Sequence, residues 1–165
     1  MSLKLEMATT ADAPAIVALR TAVAVTLTNQ FGKGHWSSAV SKQGVLFALR
    51  RSSVYVARKR NKLIATLTLF TRKPWAIDRK YFTACLRPLY LTAMAVAADL
   101  QHQGIGRLCV EAAIKVVKQW PADAIFLDAY DVEAGAGEFY RKCGFREVGR
   151  ASYRNVLLVY FEMVW

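Results

Sequence analysis

Cysteine, proline and acidic residues are scarce in this 165-residue sequence, and these scarcities exclude several classes of protein. Its cysteines, Cys85, Cys109 and Cys143, are too few and odd in number for a disulfide framework. The longest nearly apolar run, residues 89–98, is about half as long as a membrane span, so we expect no membrane association. No charged-then-apolar leader opens the sequence, so we expect no secretory signal and a cytoplasmic location.

What is present is enough apolar surface for a core. Apolar residues make up 55% of the sequence and charged residues 21%, a composition that excludes a disordered chain. The length fits one domain, and neither repeats nor linkers divide it. We therefore predict a single domain over residues 1–165.

The positive charge is concentrated in the middle of the chain. There are 23 Lys or Arg against 12 Asp or Glu, yet the stretch from Lys33 to Arg87 holds 13 of the basic residues and a single acid, Asp78. Such a stretch either attracts an anion or forms a solvated face. Four of its charges surround Asn61 in a predicted hairpin turn, which argues against nucleic acid as a partner. A basic RNA-associated protein is a third interpretation, which predicts steeply salt-dependent binding.

Hydrophobic periodicity predicts the order β-α-α-β-β-β-α-β-α-β-β. Strands are expected at 3–7, 53–59, 63–70, 89–97, 124–130, 145–148 and 156–164. Helices are expected between Thr10 and Gly32, at 36–50 with Val40 and Phe47 in the core, from the Gly106 region to Gln119, and at 135–143. Residues 71–87 read as an irregular segment. This order predicts an α/β fold (α+β in its mixed sheet), with a central mixed β-sheet flanked by helices.

A glycine-rich turn, Gln101-His102-Gln103-Gly104-Ile105-Gly106, joins a strand to a helix. The first turn of a helix has N–H groups without internal partners, and its dipole favours negative charge. Glycines let a phosphate approach these groups closely, so a pyrophosphate fits this turn. Arg107 adds a positive charge there, and a bound anion would relieve its conflict with the helix dipole. An ordinary turn is the alternative.

Two other nucleotide motifs fit less well. A Walker loop needs Gly-Lys-Ser/Thr, which is absent. A dinucleotide fingerprint would place its third glycine at Cys109, and only one strand–helix repeat follows the turn.

Three segments together resemble the GCN5-related N-acetyltransferase (GNAT) superfamily. They are the strand Leu91-Thr92-Ala93-Met94-Ala95-Val96, the turn Gln101-x-x-Gly104-x-Gly106, and the distal block Ala136-x-x-Phe139-Tyr140-x-x-x-Gly144-Phe145. The order of elements is similar across nearly the whole chain. The resemblance implies transfer of an acetyl group from acetyl-CoA to an amine by direct attack.

The resemblance also implies how acetyl-CoA is bound. Amides from Gln103 to Arg107 would hold the pyrophosphate, and the main chain of Met94 to Val96 would pair with the pantetheine arm. The amide near Val96 would polarise the thioester carbonyl. Many members have Asn where this chain has Glu133, so the pantetheine contact there is altered or the position faces the acceptor. The implied binding residues are Met94, Ala95, Val96, Gln101, His102, Gln103, Gly104, Ile105, Gly106, Arg107, Glu133 and Tyr140.

Two catalytic roles follow from the same resemblance. Tyr140 matches the tyrosine that protonates the leaving thiolate, and a phenol with a pKa of about 10 is protonated at neutral pH. Asp128 matches a carboxylate twelve residues earlier that some members use as the base, and burial near a strand end would raise its pKa. Asp131 and Glu133 are rival bases, and a salt-bridged or capping acid is the alternative for Asp128.

Neither histidine is predicted to be catalytic. His35 lies in a glycine-rich loop and His102 in the phosphate turn, so both are interpreted as surface residues. Cysteines and histidines lack metal-ligand spacing, so no metal is expected.

The acceptor and the assembly stay open. The first helices and the loop before the central strand usually line the acceptor site in this superfamily, where this chain is basic. We therefore expect an acceptor or docking partner with negative charge near Arg72, Lys73, Arg79 and Lys80. A homodimer through the apolar strand ending at Trp165 is an open alternative. So is a non-catalytic acyl-CoA-binding or sensing module on the same fold.

Overall fold

A computed structural model describes residues 2–165. Its elements are β1 (Glu6–Met7), α1 (Ala13–Phe31), α2 (Lys42–Arg51), β2 (Ser53–Lys59), β3 (Lys62–Phe70), β4 (Pro88–Val96), α3 (Ile105–Gln119), β5 (Ala124–Tyr130), α4 (Gly137–Lys142), β6 (Arg146–Tyr153) and β7 (Val156–Val164). The strands form one sheet in the order β1-β2-β3-β4-β5-β7-β6. The pair β4–β5 is parallel, and β1–β2, β2–β3, β5–β7 and β6–β7 are antiparallel. The predicted α/β class, element order and mixed sheet are confirmed.

The first of two compact units comprises the chain up to Leu69 together with Ala93–Ala113. One face of α1 packs with Val45 of α2 and with Val54 and Val56 of β2. Asp12 precedes α1, accepts a hydrogen bond from the Thr9 amide (2.9 Å) and pairs with Arg58. The stretch Thr10–Phe31 is also long and apolar enough to cross a membrane, a criterion that core helices can meet as well.

The second unit comprises Phe70–Thr92 and Ile114–Trp165, and its core is aromatic. Phe82 stacks on Phe126 with ring centroids 4.3 Å apart and lies 5.2 Å from the ring of Tyr160. These contacts fold the irregular segment 71–87 against β5 and β7. The single domain over residues 1–165 stays a prediction.

The N-terminal half of the chain contains three wrong predictions. The first strand is limited to Glu6–Met7 rather than residues 3–7, because its ladder with β2 consists of the two pairs Glu6↔Val56 and Met7↔Tyr55. The second helix begins at Lys42 rather than Trp36, because the Ser41 hydroxyl accepts a hydrogen bond from the Gly44 amide (3.0 Å) and caps it. Phe47 is 54% exposed, since Val45 occupies the core and positions two apart face opposite ways on a helix.

Two more boundaries differ in the C-terminal part. The last helix begins at Gly137 rather than Gly135. The Gly135 amide donates a hydrogen bond to the Val132 carbonyl (2.9 Å), so Gly135 closes a turn before the helix. The sixth strand runs to Tyr153 rather than Val148, because its antiparallel ladder with β7 continues to the pair Tyr153↔Val156.

A buried carboxylate ties the segment 71–87 to β7. Glu162 is 2% exposed and accepts hydrogen bonds from the Thr83 amide (2.8 Å), the Thr83 hydroxyl (2.6 Å) and Arg146. Burial would raise the pKa of Glu162, but the bonds from Thr83 and Arg146 outweigh burial and lower this pKa from 4.5. Glu162 therefore stabilises the fold as an ion.

We expect Glu162→Gln to lower the free energy of unfolding at pH 7 by about 1.5–3 kcal/mol, the range for hydrogen bonds to a charged group. Because the folded pKa is lowered from 4.5, this stabilisation is present above pH 4.5 and is lost as the pH falls through the lowered value. Denaturant titrations at several pH values measure the difference, which should shrink in acid. Glu138→Gln is the control, because the Glu138 side chain is 68% exposed. Equal stability of Glu162→Gln and wild type at pH 7 would contradict the expectation.

Candidate active site

The turn after β4 is tied to the end of that strand by two glutamines. Gln101 Nε2 donates to the Val96 carbonyl (3.1 Å), and Gln103 Nε2 donates to the Asp99 carbonyl (3.0 Å). His102 (φ 60°) and Gly104 (φ 84°) both adopt the left-handed region. These features fix the path of the main chain into α3.

The amides at the start of α3 are donors without intrahelical acceptors. The helical hydrogen bonds begin with the Leu108 amide, which donates to the Gly104 carbonyl (3.1 Å), so the N–H groups from Gln103 to Arg107 precede the ladder. Arg107 is exposed, and its Nε lies 3.4 Å from Glu111 Oε1. The predicted pyrophosphate residues are thus adjacent around one helix N-terminus, a donor set that fits a diphosphate.

Gly104 offers a test of this turn. A Cβ there would meet no atom within 4 Å, so only its φ of 84° disfavours a side chain. We expect Gly104→Ala to strain the turn by about 1–2 kcal/mol, which would weaken acetyl-CoA binding about 5- to 30-fold if the turn relaxes in the free protein. Calorimetry measures the Kd.

Gly32 is a matched control for this substitution. It has a φ of 82°, and a Cβ there would also meet nothing within 4 Å. Gly32→Ala should lower stability by a similar amount without changing the acetyl-CoA Kd. If the two variants bind acetyl-CoA equally well, the turn is not the pyrophosphate site.

The end of β4 departs from a regular strand. Its pairing with β5 ends at Tyr90↔Phe126, although β4 continues to Val96. Ala93 has a φ of 50°, which breaks the pleat just before Met94, Ala95 and Val96. These three residues are half-buried, and the next amide, that of Ala97, donates to the Ile64 carbonyl (2.8 Å). The main chain here is the segment that the resemblance pairs with pantetheine.

Tyr140 lies in the second unit, on the short helix α4. It is 8% exposed and surrounded by aromatic rings, with centroid distances of 5.1 Å to Phe139, 5.7 Å to Phe145 and 6.2 Å to Phe161. Burial, with a smaller contribution from the charge of Asp128, raises the pKa of Tyr140 well above its ordinary value. The phenol is therefore protonated at neutral pH and can act as a donor.

Asp128 lies on β5, in register with Tyr160 of β7. Burial raises the pKa of Asp128, which makes its carboxylate a stronger base than an exposed one. Its charge in turn contributes to the raised pKa values of Tyr130, Tyr140 and Tyr160. The structure thus brings the two predicted catalytic residues into one electrostatic environment within the second unit.

The rival bases have different surroundings. Asp131 Oδ1 lies 3.3 Å from Arg150 Nη1, so this carboxylate is ion-paired. Glu133 is exposed in the loop before α4, and His35 is exposed in a 3-10 turn of the first unit. Among residues 2–165, no group of three or more His, Cys, Asp or Glu side chains could hold a metal ion.

Sequence reasoning missed the partners of the predicted acids. Tyr130 is two residues after Asp128 on the same strand, so period-two alternation could have placed both on one face. Arg150 and Tyr160 come from β6 and β7, and no local signal links them to β5. Their neighbourhood depends on the strand register.

The basic stretch 33–87 divides between the two units and is partly paired. Arg58 lies 3.5 Å from Glu6 besides its contact with Asp12, and Lys80 lies 3.1 Å from Asp78. Arg87 lies 3.5 Å from Asp123. Several of these charges therefore stabilise the fold itself.

Comparisons with known proteins agree with the fold. Residues 24–145 match the acetyltransferase (GNAT) family. The structure is similar to ribosomal-protein-alanine N-acetyltransferase from Brucella melitensis, with 18% identity over 99% of this chain and 100% of that chain and a TM-score of 0.73. It is also similar to yncA from Salmonella typhimurium, solved with its cofactor acetyl-CoA, with 13% identity over 99% of this chain and 94% of that chain and a TM-score of 0.70. No curated protein sequence matches the chain. Because the family match covers most of the sequence, this protein belongs to the acetyltransferase (GNAT) family.

Proposed function

We propose that this protein transfers the acetyl group of acetyl-CoA to a primary amine by direct attack. The observation that carries the proposal is the turn before α3, whose amides open a helix and which Gln101 ties to the Val96 carbonyl. Amides from Gln103 to Arg107 bind the pyrophosphate, and the main chain of Met94 to Val96 pairs with pantetheine. The Val96 amide polarises the thioester carbonyl.

Asp128 and Tyr140 supply the proton transfers. The ammonium group of the acceptor loses a proton to the Asp128 carboxylate, and the free amine forms a C–N bond with the acetyl carbon. The C–S bond then breaks, and the CoA thiolate takes the Tyr140 phenol proton. The nitrogen of the product passes its extra proton to the Tyr140 phenolate, which gives the neutral amide, and Asp128 releases the proton it took from the ammonium group to water. The raised pKa of Asp128 supports its role as the base, since it makes the carboxylate a stronger proton acceptor. The Tyr140 phenol is protonated at neutral pH, as a proton donor has to be.

An amine panel tests the function. The protein is incubated with acetyl-CoA and amino acids, polyamines, aminoglycosides or peptides, while thiol release and acetylated product are measured together. We expect equal amounts of thiol and N-acetyl product with at least one amine class, and no product without amine. Tight CoA binding with no turnover across the panel would instead support an acyl-CoA-sensing module.

A further inference from the structure

The second unit contains a cleft that the roles above do not use. It has a volume of about 450 Å³ and lies where residues 73–79 meet the end of β6 and the middle of β7. Three aromatic side chains line it, those of Trp75, Tyr153 and Tyr160, together with the cations Lys73 and Arg79. We call it the aromatic cleft.

The walls of the aromatic cleft are held in place although residues 73–79 belong to no strand. The Tyr160 hydroxyl donates to the Ala76 carbonyl, and Lys73 Nζ donates to the Ile77 carbonyl (2.8 Å). Arg79 donates to the Cys85 carbonyl (3.0 Å) and the Tyr90 hydroxyl (3.2 Å). A preorganised wall loses little conformational entropy when a ligand binds.

Trp75 marks one wall of the cleft as a place for a flat apolar group. Its side chain is 86% exposed even though it lines a concave surface. A large indole face in water is stabilised when a ring stacks on it, and aromatic pairs favour this arrangement. The cleft therefore favours a ligand with a ring.

The cleft also favours an anion. Lys73 and Arg79 line it, and the acid that lines it, Asp78, is already paired with Lys80 at 3.1 Å. These four side chains together leave a net charge of two positive. Both lining cations retain N–H donors beyond those bonded to the protein, and such donors suit a carboxylate.

The cleft adjoins the predicted base. Tyr160, which lines it, is the register partner of Asp128 across the β5–β7 ladder. Directly opposed residues of an antiparallel pair project to the same face of a sheet, so Asp128 lies one strand away from the Tyr160 wall of the cleft, on the same face. Ring, anion and amine sites thus occur in one part of the second unit.

We propose that the aromatic cleft binds the acceptor, and that the acceptor is an aromatic α-amino acid or a close analogue with a ring, a carboxylate and a primary amine. The ring packs against Trp75, the carboxylate bonds Lys73 and Arg79, and the amine points toward Asp128. This inference rests on the proposed acetyl transfer, whose acceptor it specifies.

Calorimetry with the CoA-loaded protein tests binding without turnover. The probes are L-phenylalanine, phenethylamine, which lacks the carboxylate, and L-alanine, which lacks the ring. We expect L-phenylalanine to bind about tenfold more tightly than either, since a ring contact or a charge-assisted bond adds about 1 kcal/mol or more.

Paired variants assign the two contacts. Trp75→Ala should weaken L-phenylalanine and phenethylamine about tenfold but not L-alanine. Lys73→Met should weaken L-phenylalanine and L-alanine about two- to fivefold more than phenethylamine. The loss of the Lys73 bond to the Ile77 carbonyl affects the wall for all three probes alike, so the difference between probes measures the carboxylate contact. Leu86→Ala (Leu86 is 91% exposed in the same segment) and Lys115→Met (an exposed lysine of α3), whose side chains do not line the cleft, should change none of the three.

The outcomes separate this inference from the proposed function. Equal affinity for all three probes, no detectable binding of L-phenylalanine, or equal effects of Lys73→Met and Lys115→Met would overturn the aromatic cleft as the acceptor site, even if other amines are acetylated. The predicted binding without acetylation of any amine would support the cleft as a binding site and overturn the proposed acetyl transfer.

Discussion

Replacing Tyr140 by phenylalanine should lower kcat about tenfold to a thousandfold while leaving the acetyl-CoA Kd unchanged, the loss expected for a general acid. Tyr140→Phe keeps the ring that packs against Phe145 and Phe161 and removes only the hydroxyl. Without that proton donor, the CoA thiolate leaves unprotonated. Steady-state kinetics, with Kd from calorimetry, separates this loss from a loss of binding.

Tyr130→Phe is the matched control for this prediction. Burial and the charge of Asp128 also raise the pKa of Tyr130, yet Tyr130 lies on β5 rather than on α4. We expect its hydroxyl to be dispensable. A kcat for Tyr140→Phe near that of wild type, or the same loss in Tyr130→Phe, would remove Tyr140 from the proposed mechanism.

Asp128→Asn should lower kcat/KM at neutral pH by about 100- to 10,000-fold if Asp128 is the base. Burial raises the pKa of Asp128, so its carboxylate form, and with it the base function, is present above the raised value and is lost as the pH falls through it. The wild-type profile should therefore have an acid limb that Asp128→Asn lacks. In acid the two rates should converge, because the wild-type carboxylate is protonated there.

Asp131→Asn distinguishes the rival base. Asp131 is ion-paired with Arg150, so we expect Asp131→Asn to leave the acid limb of the pH–rate profile nearly unchanged. If Asp131→Asn removes the limb and Asp128→Asn retains it, the two assignments are exchanged.

Local sequence signals predicted most of the fold. Short runs of β-favouring and apolar residues predicted the bounds of β2, β5 and β7, and turn residues predicted the hairpin at Arg60-Asn61, where both residues have positive φ (50° and 63°). The same dipeptide recurs at Arg154-Asn155 with φ of 48° and 65°, between β6 and β7. That signal could have extended the sixth strand to the turn.

The contacts made by the acidic residues are a different case, because they join residues far apart in the chain. Glu162 binds Thr83 across 79 positions, and Arg150 reaches Asp131 across 19. Spacing within one strand cannot predict such neighbours. They follow from the register between strands and from the packing of segment 71–87 on the sheet.

The sequence by itself determined the element order and the glycine turn that opens α3, because each depends on residues within about one turn or one strand. The mixed sheet follows from that order of elements. Only the tertiary structure decided which acids are ion-paired, which carboxyl is buried, and where aromatic and basic side chains line a cleft. Burial and pairing are properties of the neighbours that folding supplies, and these set the pKa values and the shape of a site.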